Sequence, residues 1–348
     1  MQARPFRAST LLRSLFRLVG KTAAVVALPF FTFAPSEMAA STLDVEVRSK
    51  PIVAFSTKSS QKRFGQLEFV GGLIFTSPEP LFGAISSIRF QPDGKDFIAV
   101  LDTGHWMSGQ VDRNADGVLS GLSHVKIDPI LDETGNEARR KRDMDAEGLA
   151  LRGDTAFVSF EQFPRIGVFS TKNLAAATPT SKVPHLLPDQ ELRRNAGMET
   201  LVLSPASSPL QGALVTVTEA SVDTRGNLYA AVLDGPRKGL FFVAKDPSFS
   251  VTDGAFLENG DLLLLERRFN LAEGVGMRLR RISADTIKPG AVVDGPILLE
   301  ADLAYQIDNM EGLDVVKGAD GSTRLIFVSD DNHSFLQRSL MLEFKLID

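Results

Sequence analysis

A short phrase recurs along the chain at a nearly constant spacing, and that period restricts the fold more than any other feature. It reads Asn309-Met310-Glu311-Gly312-Leu313 near the C-terminal end. Upstream it reads Asp145-Ala146-Glu147-Gly148-Leu149 and Gly197-Met198-Glu199-Thr200-Leu201, with weaker copies at Thr252-Asp253-Gly254 and Ile85-Ser86-Ser87. Aligned on Ser86, Glu147, Glu199, Asp253 and Glu311, the copies stand 61, 52, 54 and 58 residues apart. A repeat of this length marks a stacked or radial architecture.

Each copy opens a unit of the same pattern: an alternating strand, a tight turn, a strongly apolar strand, and an acidic residue where that second strand ends. The acids are Asp102, Glu161, Glu219, Glu266 and the pair Asp330 and Asp331. Further strands are expected at 166–170, 228–232, 240–244, 278–282 and 340–346. Helical periodicity is largely missing, and the best helix candidates, 173–177 and 189–194, are short. Four-strand units of about 50 residues point to an all-β chain folded as a β-propeller. Five units are visible. Residues 42–80 supply either a sixth blade or the outer strand that closes the ring against the C-terminal strands. Six blades are favoured, with five as the alternative. A large sandwich or two small β domains would be the competing architecture, but no Pro/Ser-rich linker divides the chain.

The first forty residues do not fit this pattern. Arg4, Arg7, Arg13, Arg17 and Lys21 precede an apolar run at 22–33, and small residues follow at Ala39, Ala40 and Ser41. This reads as a secretory signal peptide over 1–40, with the propeller domain at 41–348. The run is about 12 residues, short of the roughly 20 that a membrane-spanning helix needs, so no span is expected once the signal is removed. Without residues 1–40 the net charge falls from −5 to about −9. An acidic chain is a poor partner for nucleic acid, whose phosphates require a basic patch. There is no cysteine, which excludes disulfides, thiolate metal sites and a Cys nucleophile. A periplasmic or secreted protein held together by its core alone fits these features.

In a propeller, equivalent positions on the innermost strands converge although they are far apart in sequence. Glu147, Glu199, Asp253 and Glu311 are therefore expected to approach one another. Clustered carboxylates raise one another's pKa unless a cation or an arginine neutralises them. A hard cation such as Ca²⁺ takes several carboxylate and carbonyl oxygens. The metal candidates are Glu147, Glu199, Asn309, Glu311 and Asp331. Glu147, Glu199 and Glu311 are also candidate catalytic groups, with His105 as a candidate general base near the channel mouth. Arg165, Arg194 and Arg267 are candidate clamps for a small anionic substrate. The bland alternative is that each repeated Glu hydrogen-bonds the neighbouring blade's backbone, and that the arginines form salt bridges between blades. Asp112-Arg113-Asn114-Ala115-Asp116-Gly117 matches half of a calcium loop, but position twelve is Ser123, so a turn between strands is the better reading. No Gly-x-Ser-x-Gly elbow and no glycine-rich phosphate loop is present.

Several blocks together resemble one family. They are Phe82-Gly83-Ala84-Ile85-Ser86-Ser87-Ile88, Asp145-Ala146-Glu147-Gly148-Leu149, Phe163-Pro164-Arg165-Ile166, Asn195-Ala196-Gly197-Met198-Glu199-Thr200-Leu201, Leu264-Leu265-Glu266-Arg267, and Asn309-Met310-Glu311-Gly312-Leu313 with Val328-Ser329-Asp330-Asp331-Asn332. In this order, from Phe82 onward, they look like the phytase-like family, described as having esterase-like activity and found in exported bacterial proteins. The chain departs from the family pattern at Thr200, Asp253 and His333. The resemblance implies a β-propeller that hydrolyses phosphate or carboxylate esters. A calcium-dependent lactonase-type propeller and a non-catalytic binding propeller of the envelope are the alternatives.

Overall fold

The apolar runs are strands, and each is buried on both faces. In Leu262–Asn270, Leu263 and Leu265 pack toward one neighbouring sheet while Leu262 and Leu264 pack toward the other. Successive strand side chains point to opposite faces, so a continuous apolar run is what a sheet sandwiched between two others requires. The computed structural model describes residues 42–138, 140–192, 197–270 and 274–347. The proposed signal segment lies outside them, as does Arg194.

The described residues form five sheets, antiparallel except where Gly239–Val243 pairs in parallel with the edge strand Val292–Val293. From inside outward, blade 1 is Ile85–Phe90, Asp96–Leu101, His105–Arg113 and Leu119–Pro129, with Leu43–Asp44 at its edge. Blade 2 is Ala146–Arg152, Thr155–Phe160, Arg165–Ser170 and Ser181–Val183. Blade 3 is Met198–Leu203, Leu214–Val222, Leu228–Val232 and Gly239–Val243, edged by Val292–Val293. Blade 4 is Ser250–Phe256, Leu262–Asn270, Gly274–Ile282 and Ile297–Asp302. Blade 5 is Asn309–Lys317, Thr323–Asp330 and Ser339–Leu346, followed outward by Leu67–Thr76 and Arg48–Ile52. The five innermost strands touch in cyclic order, the last against the first, so the ring is closed.

The ring therefore has five blades, not the favoured six. Residues 42–80 hold no inner strand pair. Their long strand, Leu67–Thr76, instead adds to the C-terminal strand Ser339–Leu346 in the register Leu67↔Leu346 through Phe75↔Ser339. This is the closing role considered as the alternative for this segment. The early strands Arg48–Ile52 and Leu67–Thr76 thus share one sheet with the C-terminal strand. The joint is reinforced by a ring cluster: Phe55 stacks on Tyr305 (4.9 Å) and meets Phe344 edge-on (4.9 Å).

Each blade interface has its own hydrophobic cluster. Trp106 and Val100 meet Leu149 and Phe169 between blades 1 and 2, and Ala150 and Phe157 meet Leu201 and Leu214 between blades 2 and 3. Helix is confined, among the described residues, to three single 3₁₀ turns; Leu174–Ala176 is one, inside the expected 173–177. No helix of the described residues is long and apolar enough to cross a membrane. The half calcium motif is the hairpin turn of blade 1: Asn114 Oδ1 accepts the amides of Asp116 and Val118, both at 3.0 Å.

Candidate active site at the channel mouth

Every innermost strand carries a β-bulge at the same place. Register against the second strand skips one residue at Ser86, Glu199, Thr252 and Glu311. In blade 2, Glu147 and Gly148 together oppose Ser159. A bulge re-aims the extra residue and bends the strand. The bulge is the structural origin of the repeated phrase.

It also corrects the expected alignment at blade 4. The residue in phase with Glu147, Glu199 and Glu311 is Thr252, not Asp253. The second acidic set shifts by one in the same blade. Asp102 and Glu161 donate their amides to Ala84 and Asp145, and Glu219 to Gly197. Asp330 pairs with Asn309, and the residue in the same register of blade 4 is Arg267, opposite Ser250. One guanidinium thus stands where the other four blades place carboxylates. Glu266, one residue earlier, points into the blade, where Arg278 and Arg280 bind it.

Asp253 has a different task. It is fully buried and accepts both Nη atoms of Arg89, at 2.9 and 2.8 Å. Arg89 also donates to the carbonyls of Leu313, Leu201 and Gly254. A side chain of blade 1 thereby ties blades 3, 4 and 5 together across the axis. Sequence reading missed Arg89. Its only signal was a charged residue within an otherwise apolar inner strand.

At the bulge end of the strands, Asp102, Asp145, Glu147, Glu161, Glu199, Glu219, Glu311 and Asp330 form one electrostatically connected set. Among the described residues two cations form ion pairs with them, and Lys245 adds its charge near Glu219. Lys141 reaches Asp102 at 2.5 Å, and Arg267 reaches Glu219 at 3.3 Å and Glu311 at 3.2 Å. Arg267 also donates to Asn309 Oδ1 at 2.7 Å, and Asn309 Nδ2 donates to Glu311 at 2.8 Å. Glu311 and Asn309 are thus engaged with Arg267.

Glu147 and Glu199 are not engaged. Neither carboxylate accepts a hydrogen bond from a described residue, although Glu199 is only 9% exposed. The backbone bonds between blades are made instead by Ser159, whose hydroxyl donates to Met198 O at 2.8 Å, and by Thr252, which donates to Met310 O at 3.0 Å. Two overlapping triads result: Asp145, Glu147 and Glu161, and Glu161, Glu199 and Glu219, with ligand oxygens within 4.8 Å of one another in each. Two oxygens bound to one Ca²⁺ at about 2.3–2.6 Å are at most about 5 Å apart, so each triad has the size of a coordination sphere. The donors are all carboxylates, the ligand set of a hard cation.

The acids are strongly perturbed. Burial, then the charges of Asp145 and Glu161, hold Glu147 well above the ordinary carboxylate range. Burial and Glu147 do the same to Glu199. Burial raises Glu161 to about 7 and Asp330 to about 7. It raises Glu311 to about 8, against the opposing pull of Arg267.

The remaining candidates lie elsewhere. Asp331 is held in its own loop, accepting from Ser339 Oγ (2.7 Å) and from the His333 amide (3.1 Å). Gly83 faces it so closely that a Cβ there would lie 2.5 Å from Oδ1. His105 is buried between Thr103 Oγ1 (3.1 Å) and Glu137 (3.6 Å), and burial lowers its pKa. Arg165 stacks 3.9 Å above the Phe160 ring. It shares the hairpin 161–164 with Glu161, and a cleft of about 550 Å³ runs between them.

A family profile described as "Phytase-like: Esterase-like activity of phytase" matches residues 80–333. Comparison with curated proteins finds no match. Solved structures with a similar chain path include an endo-arabinase from Bacteroides thetaiotaomicron (12% identity, 75% of this chain and 93% of that one, TM-score 0.44). Others are an α-L-arabinofuranosidase from Lactobacillus brevis (13%, 76% and 92%, TM-score 0.44) and the PQQ-bound aldose sugar dehydrogenase of Streptomyces coelicolor (12%, 86% and 98%, TM-score 0.40).

Proposed function

The chain belongs to the phytase-like family, and on that premise we propose that it is an exported hydrolase of anionic esters that works at the channel mouth with a bound divalent cation, calcium by preference. The observation that carries this reading is the pair of carboxylate triads sharing Glu161, with Glu199 buried and unbonded inside one of them. A buried carboxylate without a partner is costly, and it stays only where something compensates it. Asp145, Glu147, Glu161, Glu199 and Glu219 would hold the cation. When bound, that ion would polarise the ester oxygen or lower the pKa of a water.

The protein's own groups have separable roles. Arg267 presents the single guanidinium of the second-strand ring toward the acids, where it binds the anionic end of the substrate. Asn309 and Glu311 hold that guanidinium in place from below. Glu311, which burial raises to about 8 against the pull of Arg267, is the acid placed to exchange a proton with a leaving oxygen. The Arg89–Asp253 pair occupies the axis among the inner strands, so substrate reaches the acids from the bulge end.

The test is hydrolysis of 4-nitrophenyl phosphate, 4-nitrophenyl acetate and a lactone panel by the purified protein, with calcium and with chelator. Turnover of a nitrophenyl ester that chelator abolishes and calcium restores is expected. A protein that opens only lactones would be a lactonase-type propeller. No turnover of any ester or lactone with any added divalent ion leaves a binding propeller and sinks the hydrolase.

A further inference from the structure

The apolar side chains left in solvent are not scattered. Among the described residues the exposed phenylalanines and leucines are Phe163, Phe269, Leu303, Phe335 and Leu336, from 54% exposed at Phe163 to 96% at Phe335. All of them lie on the face where the channel mouth opens. Phe163 is in the turn between the second and third strands of blade 2. Phe269 is in the second strand of blade 4, where it runs on past Arg267. Phe335 and Leu336 are in the loop between the second and third strands of blade 5, and Leu303 is in the link from blade 4 to the inner strand of blade 5. The other exposed large apolar residues, Val53, Val292 and Ile297, lie on or beside outermost strands. Exposed apolar groups gathered on one face mark an interaction surface.

These side chains are held out by their loops. In the blade 5 loop the Asp331 carbonyl accepts the Ser334 amide at 2.7 Å, and the Ser334 carbonyl accepts the Gln337 amide at 3.0 Å. Arg338, at the foot of that loop, donates to the Ile307 carbonyl at 2.8 Å and to Gln306 Oε1 at 3.0 Å, which ties the loop to the link that carries Leu303. Leu303 crests a turn in which Asp302 Oδ1 accepts the Ala304 amide at 2.8 Å and the Asp302 carbonyl accepts the Tyr305 amide at 3.0 Å. A Cβ on Gly274 would lie 3.6 Å from Leu303 Cδ1, so the strand pair that sets Phe269 opposite Val275 stands beside the same link. Phe269, Leu303, Phe335 and Leu336 thus line blades 4 and 5 as an apolar brim, with Phe163 on blade 2.

Side chains that project singly from separate loops do not make the close-packed, complementary face that a protein partner needs. A fluid acyl layer closes around such tips one by one. The charge of the face selects the lipid. The mouth acids outnumber the cations paired with them, Lys141 and Arg267. Such a surface repels anionic headgroups and attracts the outermost ammonium of a zwitterionic phospholipid. We propose that the brim docks the protein on a lipid surface with choline or ethanolamine headgroups, with Phe269, Leu303, Phe335 and Leu336 entering the acyl boundary. Docked in this way, the mouth faces the phosphate-ester layer of the lipid. The docking needs no metal. It goes beyond the hydrolase reading, and it would stand if no ester were turned over.

Vesicle flotation in chelator tests it, with the chain from Ser41 onward, which carries every strand of the ring and omits the apolar run at 22–33. The vesicles are phosphatidylcholine, phosphatidylcholine mixed with phosphatidylethanolamine, and phosphatidylglycerol. Saturable binding to the zwitterionic vesicles is expected, several-fold or more tighter than to phosphatidylglycerol. Replacing Phe335 and Leu336 together by serine should weaken it by roughly ten-fold or more, because two large apolar side chains no longer leave water. Val292→Ser, on an outer edge strand, should leave it unchanged. Circular dichroism confirms that the variants are folded, and Phe269→Ser carries the test if the double variant is not. Absence of saturable binding to zwitterionic vesicles overturns the proposal, as does tighter binding to phosphatidylglycerol, or unchanged affinity in folded brim variants. A dimer seen by sedimentation that the brim variants dissolve, without vesicle binding, would assign the brim to a second copy of the chain and overturn it as well.

Discussion

Arg267 lies 3.2 Å from the Glu311 carboxylate, in the register position that Asp102, Glu161, Glu219 and Asp330 hold in the other blades. A single substitution of sign in a ring of five equivalent positions breaks the symmetry of the mouth. It leaves the two carboxylate triads on the side of blades 2 and 3, and the guanidinium of Arg267 on the side of blades 4 and 5.

Arg267→Ala removes that group. Turnover of 4-nitrophenyl phosphate should fall by ~10²-fold in kcat/KM, the usual scale for a charged contact made in the transition state. Arg267→Lys should recover part of it. Steady-state kinetics of the two variants checks this, and equal activity in all three proteins would remove Arg267 from the site.

Glu199→Gln should act in opposite directions with and without metal. In chelator the Glu199 charge is repelled by Glu147 and Glu219. Removing it should raise the melting temperature by a few degrees, on the order of 1 kcal/mol. With calcium present the variant should gain less from the ion than the unmodified chain. Paired melting curves in chelator and in calcium give both numbers.

The metal-free protein should lose stability as pH rises. Folded-state carboxyls raised above the ordinary 4.5, to about 7 for Glu161 and about 8 for Glu311, bind more protons than the same groups in the unfolded chain. Their contribution is complete below pH 4.5 and is lost as pH passes through these raised values. Denaturant midpoints in chelator should therefore fall between about pH 5 and pH 8, and calcium should flatten the slope. A midpoint that rises over this window in chelator would contradict the assignment of the cluster.

Arg89→Leu leaves Asp253 buried without its partner. A loss of ~3–5 kcal/mol is expected, as for other broken buried pairs. Replacing both residues with leucine should cost much less than the single change. Denaturant unfolding of the single and double variants measures the difference.

Much of the fold could be read from residues alone, because the strand pairs of each blade repeat and their apolar runs are buried on both sides. Blade number was harder. Leu67–Thr76 has the same apolar character as an inner strand, and only its pairing with Ser339–Leu346 shows that it closes blade 5. The positions of Glu147, Glu199 and Glu311 were visible in the repeated phrase. The phase of blade 4 was not, since Thr252 and Arg267 break the acidic pattern and the adjacent Asp253 and Glu266 imitate it. A one-residue shift in a strand reverses the face a side chain points to, and a bulge hides that shift from a simple alignment. Glu161 and Glu219, read only as strand-end acids, join the triads because the second strand ends beside its own blade's bulge.

The most direct test is a calcium titration of the purified protein by calorimetry at two pH values, 6 and 8, set beside Glu161→Gln, which removes the residue common to both triads. The expected result is saturable binding that is tighter at the higher pH, releases protons, and is weakened by roughly ten-fold or more in the variant. Absence of saturable binding, or binding that the variant leaves unchanged, would contradict a metal centre at the channel mouth.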